Sequence, residues 1–472
     1  MQNNRVTQWR GIGLASAMLM MLLVGLLSLN LTATPANAQT EDPTPTPNDP
    51  VWRAFSAVRE ALEEEFSVDL TYVQQWNFEQ AEWFYSIDDC DSDVISYDYR
   101  PFYTGWTFRV TSIRGTTYQA RISFDLDAVV ICDEVTEGGV AFVEGTPDPN
   151  LPAPVGGSGA TGSFELGGHV LGLGTDAVTN MRQAGMTWVK KQLRWRIGDT
   201  TDTAASMIAD ADANGFNILL GIVGDPTQMG DYSNYIAQFA TFVGQVAALG
   251  ADAIEVWNEP NIDREWPNGQ VNGATYTQML AAAFNAIRTA NPNTIVISGA
   301  PAPTGFFGAA GCTAQGCNDD VFMQQMAESG ASAYMDCVGL HYNEGIVSPA
   351  TNSGDSRGEF PTYYFGSMLA RGYNLFGGLP VCFTELGYLT SEGFADPLPG
   401  NFAWAQNTSL AQHAAWLADA ASRAAQSGRV RIMIIWNVNF TQYIGDPMGG
   451  YAMMRPDGSC PSCSTLGAVM GG

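Results

Sequence analysis

The sequence predicts an α/β protein whose main body is a (β/α)8 barrel preceded by a small α+β module. Three observations carry this. Beyond a Pro- and Gly-rich stretch, short apolar segments alternate with Ala-rich amphipathic ones, the pattern of βαβ units and a parallel sheet. Eight such apolar segments follow one another over about 310 residues, which suits a closed barrel. Polar and acidic residues stand directly after several of them, where a barrel keeps its chemistry.

The elements follow in order. Residues 1–38 have the layout of a secretory signal: Arg5 and Arg10, an apolar run from Ile12 to Leu29, then Ala36-Asn37-Ala38 before Gln39. Cleavage is expected after Ala38, giving a secreted or extracytoplasmic protein with no membrane insertion afterwards. The apolar run is close to the length that spans a bilayer, so an uncleaved signal anchor is the alternative. Residues 39–50 are acidic and rich in Pro and Thr, a linker. The module is expected over 51–135. A helix pattern runs through Trp52, Phe55, Val58, Leu62 and Phe66, then alternating segments run from Trp106 to Ile113 and from Thr117 to Val130, with Gly115 at the turn. Asp88, Asp89, Asp91 and Asp93 read as a solvated acidic loop rather than a metal site.

Residues 136–162 form a second linker, and the barrel is expected over 163–472. Its strands are read at Phe164–Leu171, Trp188–Leu193, Asn217–Val223, Ala253–Trp257, Thr294–Ser298, Cys337–Leu340, Pro380–Thr384 and Val430–Trp436. Amphipathic segments such as Tyr235–Leu249, Tyr276–Ala290 and Leu410–Gln426 lie between them. An open doubly wound sheet is disfavoured, because no Gly-rich phosphate loop follows the first strand.

Composition narrows the function. With 21 Lys+Arg against 48 Asp+Glu the formal net charge is -27, which repels nucleic acid and anionic membranes and favours a neutral ligand. Twelve Trp, 17 Tyr and 23 Phe can fill a core and still supply rings to a cleft. Eight cysteines in an exported chain read first as disulfides. Cys90 is expected to pair with Cys132, Cys312 with Cys317, and Cys460 with Cys463. Cys337 and Cys382, in neighbouring strands, are left open between free thiols and a bridge. With three His in all, a metal-dependent site is disfavoured, and no cofactor is expected.

The strand ends carry the chemistry. The fourth strand ends in Trp257-Asn258-Glu259-Pro260-Asn261, the sixth in His341-Tyr342-Asn343, the seventh in Thr384-Glu385-Leu386-Gly387 and the eighth in Trp436-Asn437. Carboxylates at the mouths of strands four and seven face each other across a barrel. In a retaining glycosidase such a pair stands about 5–5.5 Å apart, one protonated as general acid and the other ionised as nucleophile.

This combination resembles clan A of the glycoside hydrolases, the cellulase-like superfamily of TIM-barrel enzymes, over roughly 164–456. The resemblance implies Glu259 as acid/base, Glu385 as nucleophile, Asn258 as a contact to the sugar 2-hydroxyl and Trp436 as a sugar platform. Where the clan often carries an Arg on strand two this chain has Lys190, with Arg194 as the alternative; where it often carries a Tyr two places after the strand-six His, this chain has Asn343. His341, Tyr342 and Asp225 are further candidate substrate contacts, and Trp266, Phe306, Phe307, Tyr388, Trp404 and Tyr443 are candidate rings for sugar subsites. The expected function is retaining hydrolysis of a β-linked neutral glycan. The alternative is a carbohydrate-binding or cell-surface barrel that has lost turnover.

Overall fold

The computed structural model describes residues 50–68, 70, 73–84, 102–112, 116–124, 126, 128–136, 151–155, 162–304, 307, 311–358, 360–443 and 447–471. The expected signal, most of both linkers, the Asp88–Asp93 loop, Cys90 with its expected pairing, Gly115 and Phe306 lie outside these residues.

The described chain begins with helix α1 (Pro50–Phe66), followed by an antiparallel sheet of β1 (Val73–Phe84), β2 (Phe102–Ser112), β3 (Thr117–Ser123) and β4 (Val129–Thr136) in that order. Phe55, Val58 and Leu62 of the helix pack on Trp106, Phe108, Val110, Tyr118 and Ile122 of the sheet. The segment expected as one strand over Thr117–Val130 is two strands. The chain reverses between them, with Leu126 at φ 66° and the Ser123 amide donating to the Ala128 carbonyl at 3.0 Å. Strand β1, with Gln, Asn and Glu spread along it, carried too weak an apolar alternation to be anticipated.

The barrel strands are β5 (Glu165–His169), β6 (Trp188–Trp195), β7 (Asn217–Gly224), β8 (Ala253–Val256), β9 (Ile295–Ser298), β10 (Val338–Gly345), β11 (Val381–Tyr388) and β12 (Val430–Ile435). All pair in parallel, in the spatial order β10-β11-β12-β5-β6-β7-β8-β9. A parallel bridge between Ile297 and Cys337, with the Ser298 amide donating to the Cys337 carbonyl at 3.2 Å, joins β9 to the entry of β10 and closes the ring. Gly339 lets these strands meet: a Cβ there would lie 2.0 Å from the Ser298 carbonyl oxygen.

Helices α2 (Thr175–Gln183), α3 (Asp202–Ala213), α4 (Tyr232–Ala248), α5 (Gly273–Ala290), α6 (Asp319–Glu328), α7 (Phe365–Leu375) and α8 (Leu410–Ser427) fall between successive strands. Their starts carry local signals. Asp231 and Asn272 cap α4 and α5, and Ser409 with Gln412 forms a capping box on α8. Alternate residues of each strand face these helices. Ile218, Leu220 and Ile222 do so on β7, packed with Phe239, Phe242 and Val243 of α4.

The opposite faces fill the barrel. Trp188, Leu219, Ala253, Ile297, Cys337, Cys382, Ile432 and Ile434 form an apolar floor. Cys337 and Cys382 are joined there by a disulfide, which resolves the open reading; Cys312–Cys317 and Cys460–Cys463 are also bonded. Two residues further along β6, β7 and β8 stand Lys190, Gly221 and Glu255.

Because the Cys337–Cys382 bridge spans 45 residues of sequence, replacing both cysteines with Ala is expected to lower unfolding stability by about 2–4 kcal/mol. Urea denaturation of the double variant checks this.

Candidate active site

Strand β8 ends at Val256, and Trp257 then takes φ 78°, a left-handed conformation that costs a non-glycine residue about 1–3 kcal/mol. Packing holds it there. The indole Nε1 donates to the Glu265 carbonyl at 3.1 Å, and the ring meets Trp266 and Phe239 at 5.3 and 5.7 Å. The next two residues are clamped by the buried Glu265 carboxylate, whose Oε1 accepts from Asn258 Nδ2 at 3.3 Å and whose Oε2 accepts from the Glu259 amide at 3.0 Å. Further along, Asn261 bonds Ala302 and Cys317 and anchors the loop. Glu259 is thereby aimed into the mouth of the barrel. The Asn258 Oδ1 is buried without a hydrogen-bond partner among the described residues.

Glu385 enters from β11, where it pairs in register with His341 of β10. The ladders are irregular at this point, between Leu340 and His341 on one side and between Phe383 and Leu386 on the other. Such interruptions re-aim side chains at the rims of barrels. His341 Nδ1 lies 3.2 Å from Glu259 Oε1 and 3.9 Å from Glu385 Oε2. These two oxygens therefore stand no more than about 7 Å apart, a spacing that admits the roughly 5–5.5 Å of a retaining pair.

Lys190, fully buried, stands between two carboxylates. Its Nζ is 2.8 Å from Glu255 Oε2 and 3.3 Å from Glu385 Oε1, and it donates to the Thr384 carbonyl at 3.2 Å. Burial alone would lower its pKa, yet Glu255 and Glu385 outweigh that and raise it, so the ammonium stays charged. His341 is likewise pushed down by burial but raised on balance by Glu385 and Glu259. His169, at the end of β5, lies 3.9 Å from Glu385; burial, then Lys190 and His341, drive its pKa well below the ordinary value, so it is neutral. For Glu259, burial favours the neutral acid, but the His341 hydrogen bond and the Arg264 guanidinium hold its carboxyl at about 2. Arg264 reaches it from the loop after β8 as a direct ion pair.

The structure brings Glu259, Glu385, His341 and Lys190 into one cluster, with Asn258 beside it. Trp436 joins through His169, their rings 4.7 Å apart, and is followed by a cis peptide to Asn437. Arg194 does not take the Lys190 place; it points to the rim and pairs with Glu265 at 3.4 Å. Tyr342 is not brought to the site. Facing opposite to its neighbour His341, it is fully buried against Phe365, and its hydroxyl donates to the Tyr363 carbonyl at 3.0 Å. Asp225 caps the turn after β7 through Thr227 and pairs with Arg196 at 3.0 Å. Trp266 and Tyr388 are buried packing, and Tyr443 spends its hydroxyl on the Asp396 carbonyl. Trp404 lies under the Arg357 guanidinium at 4.5 Å.

Four residues of this arrangement went unread in the sequence. Glu255 had a signal, a lone charge in the apolar strand Ala253–Val256. His169 stands at a strand end. Arg264 and Glu265, in an aperiodic loop, offered none.

No family model matches the chain, and no curated protein matches it. Among solved structures it is similar to the endo-1,4-beta-mannanase from Rhizomucor miehei, at 13% identity and a TM-score of 0.44, covering 67% of this chain and 99% of that one. It is similar to an endoglucanase from the hyperthermophilic Thermotoga maritima at 13% identity and 0.40, covering 64% and 96%. A glucosidase from Croceicoccus marinus matches at 15% identity and 0.43, covering 70% and 69%.

Two variants probe the geometry. Tyr342→Phe is expected to cost about 1 kcal/mol, the worth of one hydrogen bond, as thermal melting would show. At Gly221 a Cβ would lie 3.0 Å from Glu255 Oε2 and 3.3 Å from Lys190 Cε. Gly221→Ala is therefore expected to destabilise by about 1–3 kcal/mol, read from denaturant midpoints.

Proposed function

We propose that this chain is an exported retaining glycoside hydrolase of the cellulase-like clan, acting on β-linked glycans with Glu259 as acid/base and Glu385 as nucleophile. The observation that carries this reading is the pair itself: two carboxylates, one just after β8 and one on β11, within 3.2 and 3.9 Å of one imidazole nitrogen. Export by a signal over residues 1–38, and a glycan-binding or shielding module over 51–135, belong to the same proposal.

In the first step Glu385 attacks the anomeric carbon and forms a glycosyl ester, while the proton on Glu259 passes to the departing oxygen as the glycosidic bond breaks. In the second, ionised Glu259 takes a proton from water, whose oxygen attacks the same carbon and frees Glu385. Lys190 offsets the negative charge of Glu385 before attack and as it is released. Asn258 Oδ1 is placed to accept from a sugar hydroxyl, and Trp436 offers a face to the ring. A divalent ion is not needed for either step, since each charge that develops has a side chain beside it.

One observation favours the second reading, a barrel that binds glycan without turnover: in the free site Arg264 and His341 keep Glu259 ionised, the form required by the second step and not the first. A panel of cellulose, mannan, xylan and β-1,3-glucan oligosaccharides separates the two. Hydrolysis with the product anomer retained, read by NMR, is the expected result, and Glu259→Gln and Glu385→Gln should each lower kcat about 100-fold or more while melting near the wild-type temperature. Binding with no product overturns the hydrolase in favour of the binding protein, and an inverted product removes Glu385 as nucleophile.

A further inference from the structure

We propose that Arg264 and Arg194 form a recognition site for an anionic group, a carboxylate or a sulfate ester, carried by the sugar on the leaving-group side of the scissile bond, and that this group draws Arg264 away from Glu259. The inference deepens the hydrolase reading and rests on it for the direction in which the sugar lies.

The charge distribution is the first ground. The chain holds 48 acidic and only 21 basic residues, yet three exposed guanidiniums gather at the rim above β6 to β8. The side chains of Arg194, Arg196 and Arg264 are 63, 64 and 70% exposed. A surface so short of cations sets them at the one end where the carboxylate pair opens. They are not held equally. Arg196 is tied to Asp225 at 3.0 Å. Arg194 leans on Glu265 at 3.4 Å, on a carboxylate already engaged by Asn258 and the Glu259 amide.

The second ground is a conflict in the site. Glu259 is buried, and it is faced by His341 from β10, by Glu385 from β11, and by Arg264 and Glu265 from its own loop. To protonate a leaving oxygen it must carry a proton, and an arginine in contact opposes that. His341 is locked in the barrel, whereas Arg264 stands on the loop after β8 with its side chain 70% exposed, so water can solvate the guanidinium once it leaves Glu259. Arg264 is therefore the group that moves. A neutral sugar offers a guanidinium nothing in exchange for a carboxylate, whereas a planar anion offers two parallel hydrogen bonds. The sugar whose oxygen reaches Glu259 must lie against the loop that bears Arg264, with Arg194 across from it. When Arg264 turns to that anion, Glu259 takes a proton from solvent and delivers it to the glycosidic oxygen. The acidic surface still favours a mostly neutral glycan, with the anion read at this one subsite.

Calorimetric titration of the mature protein with D-glucose, D-glucuronate, D-glucose 6-sulfate and inorganic sulfate tests this without requiring turnover. At least one anionic sugar should bind about fivefold or more tighter than glucose, and Arg264→Ala and Arg194→Ala should each reduce that advantage with melting temperatures unchanged. A preference for glucuronate assigns the carboxylate; a preference for the 6-sulfate assigns the ester. Equal binding of all three sugars, an anion preference untouched by Arg264→Ala, or inorganic sulfate binding as tightly as the anionic sugars overturns the inference. If anionic sugars bind through Arg264 but no glycan is cleaved, the hydrolase reading fails and the recognition site stands. If a neutral glycan is cleaved, the basic limb of its kcat/KM profile should move to higher pH in Arg264→Ala, because losing a neighbouring cation raises a carboxylate's pKa; an unmoved limb shows that Arg264 does not govern Glu259.

Discussion

The site depends on one buried cation. Lys190 carries a full charge where water does not reach, and a lone charge there would be driven neutral or expelled. Glu255 and Glu385 keep it ionised from either side. The contacts run in both directions, the ammonium lying 2.8 Å from Glu255 and 3.3 Å from Glu385, and removing any one of the three would leave its neighbours without a buried partner. Gly221 completes the arrangement by leaving the third strand bare at the point where the pair needs room. An arginine would bring a longer planar head into the same space, so the lysine, the extra glutamate and the glycine belong together as a local solution.

Below this charged layer lies the apolar floor with its Cys337–Cys382 bridge, and above it the loops take over. The bridge joins the two strands that deliver His341 and Glu385, so the covalent tie lies directly beneath the groups that must stay in register. On the other side of the mouth a carboxylate does comparable work: Glu265 gathers Trp257, Asn258 and Glu259 through its backbone and side chain. The left-handed turn at Trp257 persists because that clamp and the surrounding rings over-determine it.

Much of the barrel was legible because buried parallel strands read as short apolar runs, and each of the eight expected segments coincides with an observed strand. Strands six and seven run several residues further than their apolar cores, to Gly345 and Tyr388, since His341, Asn343 and Glu385 interrupt the pattern that marks a strand. Glu259 and Glu385 were legible from their places at strand ends. Tyr342 was misplaced for want of the alternation rule: once His341 faces the interior its neighbour must face the helices. Arg264 was invisible for a different reason. Its partnership with Glu259 is made by the path of a loop, and loops carry no periodicity.

The α+β module reaches further into the barrel than a tethered accessory would. Phe360, from the long segment between β10 and α7, lends its ring to the module's own core, 6.4 Å from Trp76. Three residues on, Tyr363 receives the hydroxyl of Tyr342 and stacks with Arg357 at 3.8 Å. The segment is thus held by the module's core at Phe360 and by the barrel at Tyr363. Removing the module would unseat it, and shuffling the module onto another barrel would leave behind a piece of its own foundation.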